Sequence, residues 1–250
     1  MLKKVYQYFK QILVGKVCLA CCQSNKKSSG LCKICEHSIY PYAVSQGCQY
    51  CGHPILGHSE TKVCATCHEG DKKWDQLTIC YHYQATVKQL LWQYKFHHDF
   101  ASGKALADLL VRQISLLIEG GKVPKPDVLI PVPIHLKRRR QRGFNQTEYF
   151  ASELSKALGV PVDNYYVERV RHEKAQAKLS RVARLKNMQD AFQMVGHQSY
   201  QHIAVVEDII TTESTMTALV EKLSESGQIQ KISVWCLAKN FSKSHASSSK

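Results

Sequence analysis

The chain lacks the features of membrane and exported proteins. Although 44% of its 250 residues are hydrophobic, no window reaches the roughly 18 consecutive apolar residues of a membrane span. The N-terminal residues mix lysines, tyrosines and glutamines with apolar side chains, and no small-residue cleavage site follows them. We therefore expect no membrane insertion, no signal peptide and a cytoplasmic location. Val5, Phe9, Ile12 and Leu13 share one helical face, so residues 1–16 are predicted to form a short helix.

Negative charge is scarce. The chain has 20 Asp and Glu residues against 34 Lys and Arg residues, which gives a formal net charge of +14. Such an excess is typical of proteins that bind a polyanion, either a nucleic acid or a phosphorylated small molecule. It is also compatible with solubility alone. Much of the excess lies between residues 134 and 190.

Cysteine, in contrast, is abundant, with 11 residues. Without a secretion signal, this number favours metal binding over disulfides. Eight of them form four Cys-x-x-Cys pairs: Cys18/Cys21, Cys32/Cys35, Cys48/Cys51 and Cys64/Cys67. Two such pairs supply the four thiolates of a tetrahedral zinc site, which is closed and structural. We predict a zinc-ribbon module at residues 17–75 with two Zn²⁺ ions. Consecutive pairing is the simplest, and a cross-braced arrangement remains open.

The rest of the chain has the pattern of an α/β domain, predicted at residues 76–240. Short apolar strands alternate with amphipathic helices, which predicts a parallel sheet covered on both faces. The expected strands are 77–83, 127–132, 202–206 and 229–237, and the expected helices are 86–96, 101–118, 145–158, 180–187 and 214–225. The basic run after the second strand is expected to be a loop. The polar end of the chain, 241–250, is predicted to be disordered.

One segment has the pattern of a phosphate-binding loop. An apolar strand leads into the adjacent acids Glu207 and Asp208 and then into a hydroxyl-rich helix start. The hydroxyl groups and the free N–H groups of a helix N-terminus suit a phosphate, and the acids can accept hydrogen bonds from a ribose diol. The alternative is an ordinary helix capped by Ser or Thr.

These residues resemble a known family. Val205-Val-Glu-Asp-Ile-Ile-Thr-Thr-x-Ser-Thr215 resembles the 5-phosphoribosyl-1-pyrophosphate (PRPP) signature of type I phosphoribosyltransferases. Further motifs, together with the Cys-x-x-Cys module, resemble the ComF family over about residues 17 to 240: Pro131-Val-Pro-Ile-His135, Arg142-Gly-Phe-Asn-Gln146, Arg169-x-Arg171, Gln176-x-x-Leu179, Arg184 and Asn187. The resemblance implies a type I phosphoribosyltransferase-like domain in a cytosolic protein of natural transformation or DNA utilisation. It also implies single-stranded DNA and competence-machinery proteins as partners.

The resemblance further assigns roles by position. Glu207 and Asp208 match the catalytic acidic pair. The PRPP and phosphate contacts match Thr211, Thr212, Glu213, Ser214, Thr215, Pro133, Ile134 and His135. Mg²⁺ would accompany PRPP in an active enzyme.

The loop departs from the family pattern at Glu213, where glycine is usual. At about 4 Å and an effective dielectric constant near 20, a like-charge contact costs on the order of 4 kcal/mol. A Glu213 side chain that faces the ligand would therefore weaken PRPP binding strongly, whereas one that points elsewhere would cost little.

A basic face is predicted beside this loop. It comprises Lys137, Arg138, Arg139, Arg140, Arg142, Asn145, Gln146, Arg169, Arg171 and Arg184. Such a run is often a solvated surface, but it can also bind pyrophosphate or follow a DNA backbone. Phe144 could stack on a base or anchor the next helix in the core, and we favour the core. Lys95, His97 and His98 are expected at the surface.

Three hypotheses for function follow. The first is a DNA-handling protein whose phosphoribosyltransferase-like domain is a binding or sensing scaffold. The second is an active PRPP-dependent transferase that passes ribose 5-phosphate to a nitrogen nucleophile. The third is a zinc-bearing protein-interaction module.

Overall fold

The computed structural model describes residues 17–25, 30–43, 47–55, 62–70, 73–171, 190–211 and 213–241. Several predictions fall outside these residues: the helix at 1–16, the helix at 180–187, the role of Arg184, the role of Thr212 and the disorder of 242–250.

Seven helices and six strands make up the described chain. The helices are α1 (Lys33–His37), α2 (Ala65–Glu69), α3 (Ala85–His97), α4 (Phe100–Glu119), α5 (Leu136–Arg142), α6 (Gln146–Leu158) and α7 (Ser214–Ser224). The strands are β1 (Gln76–His82), β2 (Val128–Pro131), β3 (Val167–Arg169), β4 (Phe192–Met194), β5 (His202–Ile210) and β6 (Lys231–Lys239). Among these helices, none is both long enough and apolar enough to cross a bilayer.

The main sheet has the order β1-β6-β5-β2, with every neighbouring pair parallel. On central strand β5, Ile203 pairs with Val128 of β2 and with Ile232 of β6. The strands are almost continuously buried because helices cover both faces of a parallel sheet. The predicted α/β class with a parallel sheet is confirmed.

Alternate residues of β5 point into two different cores. Ala204 and Val206 belong to one apolar cluster, together with residues of α3, α4 and α6. Ile203 and Val205 belong to a second cluster, together with residues of α7, β3 and β4. This alternation follows from the two-residue period of a strand. It directs successive side chains at the end of β5 to different sides of the sheet.

The structure differs from the sequence-based prediction in the basic run. Residues 136–142, predicted as a loop, form the short helix α5. The amide of Lys137 donates to Nδ1 of His135 (3.1 Å), which caps the first turn. Gly143 ends the helix with a φ of 78°, a backbone conformation that glycine adopts at little cost. The antiparallel pair β3–β4 was not predicted either.

The Cys-rich segment packs against the sheet. Leu31 and Ile39 join the cluster of Tyr81, while Tyr42 and Trp74 join the other cluster. Its backbone also bonds to β1, since the amide of Leu77 donates to the carbonyl of Gln49 (2.7 Å). The module therefore shares its core with the α/β part.

The predicted disordered tail begins one residue too early. Phe241 lies in the described chain, with its ring centroid 5.7 Å from that of Tyr42 and 5.2 Å from that of His53. The packed part of the protein therefore includes residue 241.

Candidate functional site

Two groups of four cysteines converge in the N-terminal module. One group is Cys18, Cys21, Cys32 and Cys35, and the other is Cys48, Cys51, Cys64 and Cys67. Within each group all the Sγ atoms lie within 4.8 Å of one another. The described residues thus follow the consecutive pairing and not the cross-braced alternative. Cys80 and Cys236 are buried on β1 and β6, away from both groups.

The sulfur atoms receive backbone hydrogen bonds that suit thiolates. The amide of Cys32 lies 3.3 Å from Sγ of Cys18, and the amide of Cys64 lies 3.4 Å from Sγ of Cys48. Burial alone would raise the pKa of Cys48, but hydrogen bonds from backbone amides outweigh it and lower this pKa to about 7. Four thiolates fit tetrahedral Zn²⁺ and leave no open coordination position. Each cluster can therefore hold a structural zinc ion.

The acidic pair lies at the end of β5. Asp208 forms an ion pair with Lys95 of α3, with 2.7 Å between Oδ2 and Nζ. The two side chains are only 7% and 17% exposed. Lys95 was expected at the surface, and its role was missed. The available signal was its position four residues after the buried Leu91, at the edge of the apolar stripe of the helix.

Glu207 has a different environment. Its Oε1 accepts a hydrogen bond from the amide of Asp208 (2.9 Å). Burial raises the pKa of Glu207 to about 8, and the negative charge of Asp208 adds to this increase. Of the two acids, Asp208 is therefore the one whose carboxylate pairs with a cation, Lys95.

The predicted phosphate loop leads directly into α7. Thr211 is exposed, while Ser214 and Thr215 are partly exposed in the first turn. An eleven-residue helix has free N–H groups at this end, and its dipole favours an anion there. The geometry is suitable for a phosphate group.

Glu213, the departure from the family pattern, forms an ion pair. Its Oε1 lies 2.6 Å from Nζ of Lys239, the last residue of β6, whose side chain is only 5% exposed. The same Nζ donates to the backbone carbonyl of Cys51 (2.6 Å). Strand β6 lies on one side of β5 and β2 lies on the other. The Glu213 carboxylate is therefore directed towards β6 and away from the β2 side of the site.

The loop after β2 lies on the β2 side of the candidate ligand site, opposite the side towards which Glu213 is directed. Pro133, Ile134 and His135 are partly exposed there. The carbonyl of Val132 accepts hydrogen bonds from Nδ2 of Asn145 (3.1 Å) and from Oγ1 of Thr147 (2.7 Å), which fix the start of the loop. Parallel α/β sheets bind ligands at such carboxyl ends. The loop, the acidic pair and the start of α7 together form one candidate ligand site.

The residues of the predicted basic face do not all lie together in the structure. On α5, Lys137, Arg138, Arg139 and Arg140 are exposed, and Arg139 also pairs with Glu148 (2.6 Å). Arg142 is partly exposed and donates to Oε1 of Gln146 (2.6 Å).

The other members of that face lie elsewhere. Asn145 and Gln146 are buried, and their side chains bond within the protein: Asn145 caps α6, and Oε1 of Gln146 accepts a hydrogen bond from Arg142. Arg169 packs over the ring of Phe192, in the second apolar cluster, and Arg171 pairs with Asp190 (3.1 Å). Phe144, which follows α5, packs against the first cluster instead. The two arginine groups are thus associated with opposite faces of the sheet.

Comparison with solved structures finds phosphoribosyltransferases. An orotate phosphoribosyltransferase from Aeropyrum pernix matches with 17% identity and a TM-score of 0.35, covering 62% of this chain and 65% of its own. A hypoxanthine phosphoribosyltransferase from Staphylococcus aureus matches with 13% identity and a TM-score of 0.38, covering 59% and 70%.

Curated proteins give a closer similarity, although no family model matches the chain. Competence protein F of Haemophilus influenzae is 31% identical over 216 residues, which cover 84% of this chain and 91% of that protein. The DNA utilization protein YhgH of Salmonella typhi is 30% identical over 212 residues, covering 85% and 91%. Competence protein ComFC of Bacillus subtilis is 24% identical over 227 residues, covering 90% and 85%. The chain therefore belongs to the ComF family of competence and DNA-utilisation proteins.

Proposed function

We propose that this protein is a cytoplasmic DNA-handling protein whose phosphoribosyltransferase-like domain binds PRPP as a sensing scaffold. In this proposal a basic face contacts single-stranded DNA, and two structural zinc ions stabilise the N-terminal module. The names of the relatives support a role in natural transformation or DNA utilisation. The candidate ligand site supports a phosphorylated ribose, because an acidic pair and a helix N-terminus lie at one sheet edge.

The ion pair between Glu213 and Lys239 is the observation that carries this proposal. A glutamate at this position would repel a phosphate if its charge were free. Here the carboxylate is held by an ammonium group on the β6 side (2.6 Å). The N-terminal turn of α7 therefore remains available to an anion, and the loop keeps its binding function with glutamate in place of glycine.

Calorimetry with PRPP and Mg²⁺ tests the ligand. We expect micromolar binding by the unmodified protein and similar binding by Glu213→Gly, because the native carboxylate does not face the ligand. Ser214→Asp, which adds a negative charge to the first turn of α7, should abolish binding. Tight binding by Glu213→Gly alone would contradict the proposal, since the native loop would then have lost its ligand.

Filter binding or anisotropy with a labelled oligonucleotide tests the DNA partner. Contacts between basic residues and phosphates release counterions, so the affinity should fall steeply as salt rises from 50 to 200 mM. Weak binding that does not depend on salt would contradict a role for the basic face.

A working transferase is the second candidate, and the position of Asp208 at the end of β5 favours it. In this mechanism the acidic pair would stabilise positive charge that develops at C1′ as the pyrophosphate departs and a nitrogen nucleophile attacks. Asp208→Asn should then abolish release of pyrophosphate while the fold survives. Unchanged turnover in this variant would exclude the mechanism.

A further inference from the structure

Three large aromatic side chains are exposed on neighbouring parts of α3 and α4. Trp92, Phe96 and Phe100 are 49%, 62% and 58% exposed. Trp92 and Phe96 are four residues apart on α3, so they lie on the same face of the helix. Exposed apolar side chains that cluster in this way mark an interaction surface.

Cations of α5 border this aromatic surface. The guanidinium carbon of Arg142 lies 5.8 Å from the ring centroid of Phe96. Nε2 of His98, just after α3, donates to the carbonyl of Arg142 (3.0 Å). These contacts hold the end of α3 against the end of α5, so the rings and the basic helix form one continuous surface.

Beneath the exposed rings lies a cluster of packed aromatic side chains. The ring of Phe144 lies 4.9 Å from that of the buried Tyr94 and 5.3 Å from that of Phe100. Phe144 therefore anchors the segment between α5 and α6. Of the two roles considered from the sequence for Phe144, the structure favours the core anchor. Trp92 and Phe96 have exposed ring surface for stacking, and the ring of His97 lies against that of Trp92, with 4.1 Å between the centroids.

The charge of α5 is of one sign. Its sequence, LKRRRQR, has five cations and no acid. Among the described residues, no carboxylate forms an ion pair with Lys137, Arg138 or Arg140. These three side chains are exposed beside the rings and can contact phosphates directly.

We propose that this surface, which we call the α3–α5 platform, binds single-stranded nucleic acid. The platform comprises Trp92, Phe96, Phe100, Lys137, Arg138 and Arg140. Bases stack on Trp92 and Phe96 while the backbone phosphates follow α5, a combination typical of sequence-tolerant single-strand binding. A duplex keeps its base faces stacked and offers no such contact. The proposal rests on the proposed DNA-handling function and assigns residues to it.

The uniform positive charge favours nucleic acid over a protein partner. A protein surface of mixed charge would pair with only part of a helix that carries five cations, whereas a phosphate backbone offers an anion at each nucleotide. Lys95 lies on the same helix between Trp92 and Phe96 and pairs with Asp208. The bound strand would therefore lie next to the candidate ligand site.

Alanine variants test the platform. The affinity for a fluorescent oligo(dT) is measured by anisotropy in Trp92→Ala and Phe96→Ala, with a duplex of the same length as a second probe. Each variant should weaken oligo(dT) binding by about 5- to 150-fold, the range expected for the loss of one base-stacking contact. Tyr165→Ala is the matched control, because Tyr165 is also exposed (82%) but precedes β3, which packs in the second apolar cluster and not with α3 and α4. It should leave the affinity unchanged.

Tryptophan fluorescence gives an independent measurement. The chain has three tryptophans, and Trp74 and Trp235 are buried. Oligo(dT) should therefore quench the emission of Trp92, and Trp92→Phe should abolish the quenching while keeping most of the affinity. PRPP binding should be the same in all these variants, which shows that they are folded.

The outcomes separate this proposal from the proposed function. If the unmodified protein binds oligo(dT) and both alanine variants bind equally well, the strand lies elsewhere and the platform is wrong, while the DNA-handling function stands. If the duplex binds as tightly as oligo(dT) without quenching, stacking is wrong. If the unmodified protein binds no oligonucleotide at low salt, both proposals fail.

Discussion

Glu213 and Lys239 form an ion pair, with 2.6 Å between Oε1 and Nζ, and the same Nζ lies 2.6 Å from the carbonyl oxygen of Cys51. Cys51 belongs to the second cysteine cluster, and Glu213 precedes the first residue of α7. One buried lysine therefore connects the candidate phosphate loop to a candidate zinc site.

The first prediction concerns Lys239. Lys239→Met leaves the Cys51 carbonyl without its donor, so the free energy of unfolding should fall by about 1–3 kcal/mol. It also frees the Glu213 carboxylate, so PRPP binding should weaken. Urea unfolding and calorimetry measure the two effects. The double variant Lys239→Met/Glu213→Gln should regain PRPP affinity, and a single variant that binds PRPP like the unmodified protein would argue against the role of this pair.

The second prediction concerns metal content. The purified protein should contain two zinc ions per chain, and Cys64→Ser should retain one. Loss of the second ion should weaken PRPP binding, because Cys51 would no longer hold Lys239 in place. Cys21→Ser, in the first cluster, is the matched control and should also retain one ion but bind PRPP normally. Elemental analysis and calorimetry distinguish these results, and equal PRPP affinities in the two variants would disprove the connection.

The third prediction concerns Lys95. Lys95→Met leaves the Asp208 carboxylate buried without its cation, which should lower the free energy of unfolding by about 3 kcal/mol. Lys104→Met breaks the exposed pair with Asp108 and should have no measurable effect. Chemical denaturation compares the two variants. Similar stabilities would mean that Asp208 is stabilised by other groups.

The fourth prediction concerns pH. Because burial raises the pKa of Glu207 to about 8, the folded protein keeps a proton on Glu207 that the unfolded chain loses near its ordinary value. Stability from this group is therefore fully present below that ordinary value and declines as the pH rises through about 8. Glu207→Gln should remove this decline. Urea unfolding at pH 6 and pH 8.5 tests it, and parallel pH profiles of the two proteins would show that Glu207 does not titrate in this range.

Some side-chain environments could not be predicted from local patterns. The family pattern identified Glu213 as a departure but could not say where its carboxylate points, because its partner Lys239 is 26 residues away on another strand. Lys95 was expected at the surface together with His97 and His98. Its burial against Asp208 depends on how α3 packs over the sheet edge.

The environments of Asn145 and Gln146 also could not be predicted from the local sequence, because both were expected on a binding face and both are buried. Both are polar and adjacent to a run of arginines, so the sequence placed them on a binding face. In the structure Asn145 caps α6 and bonds to Val132, and Gln146 binds Arg142. Local composition does not distinguish a polar residue that binds a ligand from one that forms hydrogen bonds inside its own domain.

The α/β class, the parallel sheet and the eight cysteines of the two clusters could all be predicted from the amino-acid sequence. These features depend on local information. The period at which apolar residues recur distinguishes strands from helices, and the Cys-x-x-Cys spacing identifies candidate metal ligands. Four other features became visible only in the folded protein: the pairing of the cysteines, the direction of the Glu213 carboxylate, the ion pair of Asp208 and the contact of exposed aromatic rings with a basic helix. Each of these depends on contacts between segments far apart in the chain, and such contacts are set by packing of the whole core.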